Sequence, residues 1–252
     1  MMLNMLRSDL YRILHIRSFK ISVFIMSIMT ICLTMPSVNV MSNTAFANYD
    51  AQIGNFAEYL YYFPKSAIFM IIVMLMYVIY LNEEYTSGFI KNVYPYQTDK
   101  LKLSISRLLI FVIYYIVFSF INIIFSLITV GFIQGRFGTI SIFDYVIYYL
   151  IQLLLATAVG SFLELFIHLS KKNIVSTILI FLYTFGILFG MVYIFFQEWF
   201  NLSVYENAIY YLSGTLPYYI SDVYLKSMIV GVLVLGIGIL LNMVILKKKD
   251  LE

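Results

Sequence analysis

The chain has 252 residues, 62% of them hydrophobic and only 12% charged, with a net charge of +3 and a mean hydropathy of +0.92. Soluble domains carry about a quarter charged residues, and a chain of this size still needs a polar skin, so a water-soluble enzyme or binding module is excluded. The small net charge leaves no nucleic-acid footprint, and one cysteine, Cys32, rules out an internal disulfide or a Cys-rich metal site.

Residues 1–20 precede the first apolar run. Leu3, Leu6, Leu10, Ile13 and Leu14 share one helical stripe, with Asn4, Ser8, Arg12 and His15 opposite. This spacing predicts a basic amphipathic elbow helix lying in the cytoplasmic headgroup layer. It serves either as a topology anchor or as an elbow that rocks with the bundle, and the residues favour neither.

A helix needs about 20 apolar residues to cross about 30 Å of hydrocarbon. Six stretches qualify: Ile21–Val38, Ser66–Leu81, Leu108–Phe132, Tyr145–Leu169, Ile174–Phe196 and Ser227–Leu246. Backbone groups in hydrocarbon must pair within the segment, so these runs read as helices, and the alternating segments of a barrel are absent. The expected fold is all-α: one polytopic membrane domain over 1–252. The basic start, the Ile21–Met35 run and Ala45-Phe46-Ala47 resemble a cleavable signal peptide. However, Ala45 lies ten positions beyond Met35, a long gap for a cleavage region, so the first span is expected to be retained. Only Ser170–Asn173 separates spans four and five, which requires an antiparallel hairpin.

Six spans put both termini on one side, together with residues 82–107 and 170–173. That side holds 13 of the 16 basic residues, the other three being Lys65, Arg136 and Lys226, so both termini are assigned to the cytoplasm. Residues 39–65 and 197–226 then become extracellular loops. Both are rich in Tyr and short apolar groups, which predicts helices packed at the outer interface or partly re-entrant.

The cytoplasmic loop 82–107 is the most informative segment. It opens on Glu83-Glu84, and Gly88 permits a turn after the second span. Pro95 disfavours helix at Tyr94, while Thr98-Asp99 reads as an N-cap for a helix running through Arg107 into span three. Between them Phe89–Val93 predicts a brief surface helix exposing Phe89, Ile90 and Val93, either to the membrane interface or to a soluble partner.

Intrinsic chemistry is sparse. The two histidines, His15 and His168, exclude a histidine-rich zinc site, and no P-loop is present. Glu83-Glu84 invites comparison with intramembrane CAAX-type proteases, but Gly88 stands where their motif needs arginine and Glu164 where it needs phenylalanine. Glu164 and His168 lie four residues apart on one helix face, forming an intramembrane polar cluster. That cluster is either structural, with Lys171 and Lys172 snorkelling toward it, or has a coupling role. Asn122, Gln152 and Thr157 are packing or pathway-lining groups. The spans carry no acid at the midplane, so an external energy source is expected rather than proton drive.

With this topology, elbow and loop, the chain resembles permease subunits of type-2 ABC exporters. The resemblance is carried by Glu84, Gly88 and the apolar-apolar-basic triplet Phe89-Ile90-Lys91. Thr98 with Lys100 and the Arg107-Leu108-Leu109 entry to span three are also similar, although Asp99 stands where arginine is common. The resemblance implies an ATPase-coupling segment comprising Glu83, Glu84, Gly88, Phe89, Ile90, Lys91 and Val93. It implies two cytoplasmic ABC ATPase subunits as partners, with ATP and Mg on those chains and no cofactor on this one. It also implies pairing with a second copy or a homologous permease in a bacterial cytoplasmic membrane. Met and aromatic richness is similar to exporters of amphipathic peptides, bacteriocins or phenol-soluble modulins. The alternative is a non-transporting membrane protein that confers immunity by sequestration or anchors a partner.

Overall fold

The computed structural model describes residues 2–34, 55–86, 100–170, 173–184 and 221–249. Among these residues the backbone is helical apart from Ile16, Asn55, Ser66 and the stretch 134–141, and no strand occurs. Five helical stretches are long and apolar enough to cross a membrane: Arg17–Thr34, Ala67–Glu84, Leu101–Ile133, Ile142–Ser170 and Tyr224–Leu246. They fit a membrane-embedded protein.

Helix α1 (Met2–His15) is joined to α2 (Arg17–Thr34) through Ile16 alone. The junction keeps continuous backbone bonding, with the Ile16 N–H on the Arg12 carbonyl at 3.0 Å and the Phe19 N–H on the Ile16 carbonyl at 3.2 Å. The amphipathic assignment of α1 holds at Ile13 and departs at two positions among the described side chains. Asp9 and Ile13 are buried, Arg12 turns inward, and Leu10 is 39% exposed. Arg12, from the expected polar side, turns toward the bundle because an acidic partner waits there.

Helix α3 (Phe56–Tyr62) starts at Asn55, whose side chain accepts from the Glu58 N–H at 2.9 Å. It runs into a 3₁₀ turn at Phe63–Lys65, with Pro64 in its first turn. Tyr59, Leu60, Tyr61 and Phe63 are buried, so this part of the predicted 39–65 loop is a packed helix. Helix α4 (Ala67–Thr86) continues beyond the predicted span end at Leu81. Glu83 and Glu84, read from the sequence as loop, therefore occupy its last turns.

Helix α5 (Lys100–Ser126) passes into a π-helical segment, Leu127–Ile133, and the predicted Thr98-Asp99 cap lies outside the described residues. Its core stripe of Phe111, Tyr114, Tyr115 and Phe118 is fully buried, and α5 lies against α1, α2 and α4. Helix α6 (Ile142–Ser170) and helix α7 (Asn173–Thr184) pack together and both touch α4. The predicted fifth span, Ile174–Phe196, is described only as far as Thr184. Residues 35–54, 87–99, 171–172 and 185–220 lie outside the described set, and with them most of the 197–226 loop.

Helix α8 (Ser221–Lys249) packs along α6 and also meets α5. Small residues allow the close approach. A Cβ at Gly238 would overlap Ser161 Oγ and stand 2.8 Å from the Ser161 Cβ, and one at Gly231 would stand 3.0 Å from Leu154. The opposite face of α8, including Leu225, Val232, Leu233 and Leu240, is exposed, as suits lipid contact. At the far end of α5, the 134–141 connection covers the start of α3. The Phe56 N–H donates to the Arg136 carbonyl at 2.9 Å and the Ala57 N–H to that of Phe137 at 3.2 Å. Gly138, at φ +70, leaves room for the Asn55 side chain, which a Cβ there would meet at 2.6 Å.

Gly238→Ala should therefore overpack the α6–α8 contact and cost about 1–3 kcal/mol. Gly236→Ala, with nothing within 4 Å of the new methyl, should be neutral or gain a few tenths of a kcal/mol. Thermal unfolding of both variants in lipid nanodiscs checks this, and equal melting temperatures would refute the close packing.

Candidate functional site

Arg107 lies about two turns into α5, on the same face as Phe111, Tyr114 and Phe118, and is itself 2% exposed. A guanidinium carried on a core stripe must find acceptors or suffer a desolvation penalty of several kcal/mol. It finds them on two helices. Its Nε donates to Glu84 Oε2 on α4 at 3.0 Å. Its Nη1 lies 2.9 Å from His168 Nε2 and 3.6 Å from Glu164 Oε1, both on α6.

The same spacing that put Glu164 and His168 on one face brings them into contact, Glu164 Oε1 to His168 Nε2 at 3.3 Å. Both are completely buried. Ser104 Oγ, one turn before Arg107, donates to Glu164 Oε2 at 3.2 Å. Asn242 of α8 donates to the Ser161 carbonyl at 2.8 Å and reaches Glu164 Oε2 at 3.5 Å. The Tyr80 hydroxyl donates to Glu84 Oε1 at 3.1 Å.

Helix α1 completes the cluster from the side. Arg12 Nη1 lies 3.7 Å from Glu84 Oε1 and 3.7 Å from Asp9 Oδ1, and its guanidinium carbon sits 5.0 Å over the Tyr80 ring. Two carboxylates, Glu84 and Glu164, face one guanidinium at Arg107, which leaves one negative charge to be balanced by Arg12. Burial pushes the Asp9 carboxyl above its ordinary value, and the neighbouring Glu84 adds to this against the opposing pull of Tyr80 and Arg12.

The hydrogen-bond roles follow from chemistry. Arginine has donors only and a carboxylate acceptors only, so His168 Nε2 can accept from Arg107 at 2.9 Å or, carrying a hydrogen, donate to Glu164 Oε1 at 3.3 Å; the shorter contact is the one with Arg107. A Glu–His pair can serve as a general base, but these side chains are 0–4% exposed, which is unsuited to admitting a bulky substrate. Among the described residues no group of three His, Cys, Asp or Glu is placed to hold a metal ion.

Of the residues singled out in the sequence, Glu84, Glu164 and His168 converge here, and Glu83 lies beside them, half-buried at the end of α4. Gly88, Phe89, Ile90, Lys91 and Val93 lie outside the described residues, as do Lys171 and Lys172. The guanidinium partner of Glu164 within the described residues is Arg107, which the sequence reading counted as a topology charge and as part of the entry to span three, not as a member of this cluster. Its register with Phe111, Tyr114 and Phe118 was the available signal. Asn242 was passed over although it is the one polar side chain between Met228 and Leu246.

A second polar cluster sits toward the other end of α5. Asn122 donates to Thr30 Oγ1 at 3.1 Å, Thr34 and Thr129 share a hydroxyl bond at 2.6 Å, and Gln134 donates to the Thr34 carbonyl. The Tyr59 hydroxyl bonds to Asn122 and Thr30, and its burial raises its proton affinity. These bonds tie α2, α3 and α5 together, a packing role for Asn122. Thr157 bonds back to the Leu153 carbonyl at 2.7 Å within its own helix, and Gln152 is buried nearby with its Nε2 unpaired.

Removing Arg107 while leaving both carboxylates should be severe. Arg107→Gln is expected to cost about 3–5 kcal/mol, with much of the loss recovered in Arg107→Gln/Glu84→Gln, a non-additivity measurable as a double-mutant cycle in nanodiscs. Strict additivity would show that the pair does not interact.

Asp9 gives a pH signature. Its folded-state value lies above the ordinary 3.8, so the stability it contributes is full below that value and lost as pH rises through the raised one. Amide exchange in α1 should quicken over that window and lose this component in Asp9→Asn; an unaltered profile in that variant would show that Asp9 is not the group responsible. No known family profile matches this chain, and no curated protein matches it either.

Proposed function

We propose that the chain is the membrane-spanning subunit of an ATP-driven exporter of the type-2 ABC kind, moving an amphipathic peptide or toxic hydrophobic compound out of a bacterial cell. On this reading the chain crosses the cytoplasmic membrane six times with both termini inside. Loop 82–107 is the coupling loop, and a cytoplasmic ATPase binding ATP and Mg docks against Phe89, Ile90, Lys91 and Val93. A second copy or a homologous permease completes the transporter.

The observation that carries the reading is the 3.0 Å bond from Arg107 to Glu84. It joins the helix that enters segment 87–99 to the helix that leaves it. Force applied to that segment by a partner therefore acts on α4 and α5 as one body, and through Glu164 on α6. Glu84 is buried in this arrangement, so it transmits the push rather than meeting the ATPase itself. The long apolar helices and the absence of a P-loop from the sequence agree with an energy source on another chain.

Replacing Phe89 and Ile90 together by Ala should weaken ATPase docking by about 2 kcal/mol or more, the scale of buried interface anchors. ATP turnover in the co-purified complex should then no longer respond to the exported compound. Unchanged docking and coupling would overturn the exporter reading. Protection of cells by this chain in a strain lacking every candidate ATPase would favour the sequestering immunity protein instead.

A further inference from the structure

The ionic cluster holds two carboxyl groups against one guanidinium in its dry interior, and among the described residues two cations can supply the balancing positive charge. One is Arg12, which reaches Glu84 from α1 at 3.7 Å and retains partial exposure. The other is a proton on His168. We propose that Glu84, Arg107, Glu164 and His168 form a proton-binding site in which a proton taken up at His168 competes with Arg12 for the cluster's negative charge, so that protonation loosens the seating of α1. The inference goes beyond the exporter reading and does not depend on it.

The geometry fixes what proton uptake must do. In the shorter of its two contacts His168 Nε2 accepts from Arg107 Nη1 at 2.9 Å. Once that nitrogen carries a hydrogen, two donors face one another at a distance that suits only a donor and an acceptor. Glu164 Oε1, already 3.3 Å from the same nitrogen, is the acceptor at hand. The new N–H therefore turns to Glu164, and Arg107 moves its weight toward Glu84, to which its Nε is already bonded. The cation supplied at Glu164 leaves Glu84 with Arg107 largely to itself, and the attraction that holds Arg12 falls. The net change is one proton gained at Nε2 from water and none lost elsewhere.

Every element packed on His168 bears on this exchange. Helix α4 contributes Glu84, Tyr77 and Tyr80, helix α5 contributes Arg107 and Ser104, helix α6 contributes Glu164, and helix α8 contributes Asn242. Helix α7 brings the buried Ser176 hydroxyl to the same end of the bundle. Helix α1 contributes Arg12 and Asp9, and Asp9 acts in the opposite pH direction. Histidine is the side chain that most often exchanges a proton near neutrality, which makes His168 the group to follow in this cluster.

The test uses the full chain in nanodiscs in the Asp9→Asn background, which removes the opposing carboxyl. With His15→Asn added, ¹⁵N-histidine labelling leaves His168 as the single signal. Its Nε2 should be unprotonated at about pH 8 and become protonated on titration toward about pH 5. Protection of the amides of residues 2–15, taken against the intrinsic exchange rate at each pH, should fall in step, about tenfold for each pH unit by which the loosened arrangement binds the proton more tightly. Linkage is reciprocal, so Arg12→Gln should shift the His168 midpoint upward. In His168→Gln, an amide that accepts without titrating, α1 protection should lose its fall toward acid. A His168 signal that does not move over this range overturns the proposal, as does a titration that leaves α1 protection unchanged or ignores Arg12→Gln. Should His168→Gln not fold, the titration and the Arg12 variant decide alone.

Discussion

Arg107 is held between two carboxylates in a place with no bulk water to screen them, and much of the fold is arranged around that necessity. A lone guanidinium on the core face of α5 would be prohibitively placed. Glu84 from α4 and Glu164 from α6 make it tolerable, and in doing so they set the rotation and depth of three helices relative to one another. Ser104, Tyr80 and Asn242 then satisfy the remaining carboxylate oxygens. Hydrophobic packing alone would specify this less well, because lipid tails compete equally for Leu and Phe surfaces.

The two ends of the bundle are stabilised by different chemistry. Around Arg107 the ties are ionic and their strength depends on how charge is shared among Arg12, Asp9 and His168. Around Thr129 the ties are hydroxyl and amide hydrogen bonds among Thr30, Thr34, Asn122 and Gln134, which carry no net charge. Between them lies an aromatic core in which Tyr77 meets Phe111 edge-on at 5.2 Å and Phe69 meets Tyr115 at 5.1 Å. A change in acidity or in local charge is thus felt at one end and not the other.

Much of the architecture was legible in the residues. Apolar run length pointed to helices at 21–38, 66–81, 108–132, 145–169 and 227–246, and long apolar helices overlap each of them, at 17–34, 67–84, 101–133, 142–170 and 224–246, because hydrocarbon thickness imposes a length that composition reveals directly. Thr98-Asp99 announced a helix that does begin by Lys100. The spacing of Glu164 and His168 announced a contact that exists. Partnership across helices was less visible. Nothing in the local pattern around Glu84 says that its last helical turn faces Arg107, since the two are joined through tertiary packing. Charge counting worked against the reading too, because treating every Arg as a topology marker conceals one that is buried. Arg12 of the elbow was missed for the same reason: the stripe of Leu and Ile is a local signal, whereas Arg12 answers to Glu84 on another helix.

Helix α5 is continuous from Lys100 to Ser126 and carries Arg107, Asn122 and, in its π-helical extension, Thr129. A single residue step of rotation turns a helix by about 100°, enough to withdraw all three side chains from their partners at once. The rod therefore has one allowed azimuth, enforced from both extremities. Rotating it would break the ionic ties at one end and the hydroxyl and amide bonds at the other together. The wider turns of Leu127–Ile133 take up the register at the second of these ends, so the helix works as a keyed shaft, seated at two depths by two unlike locks.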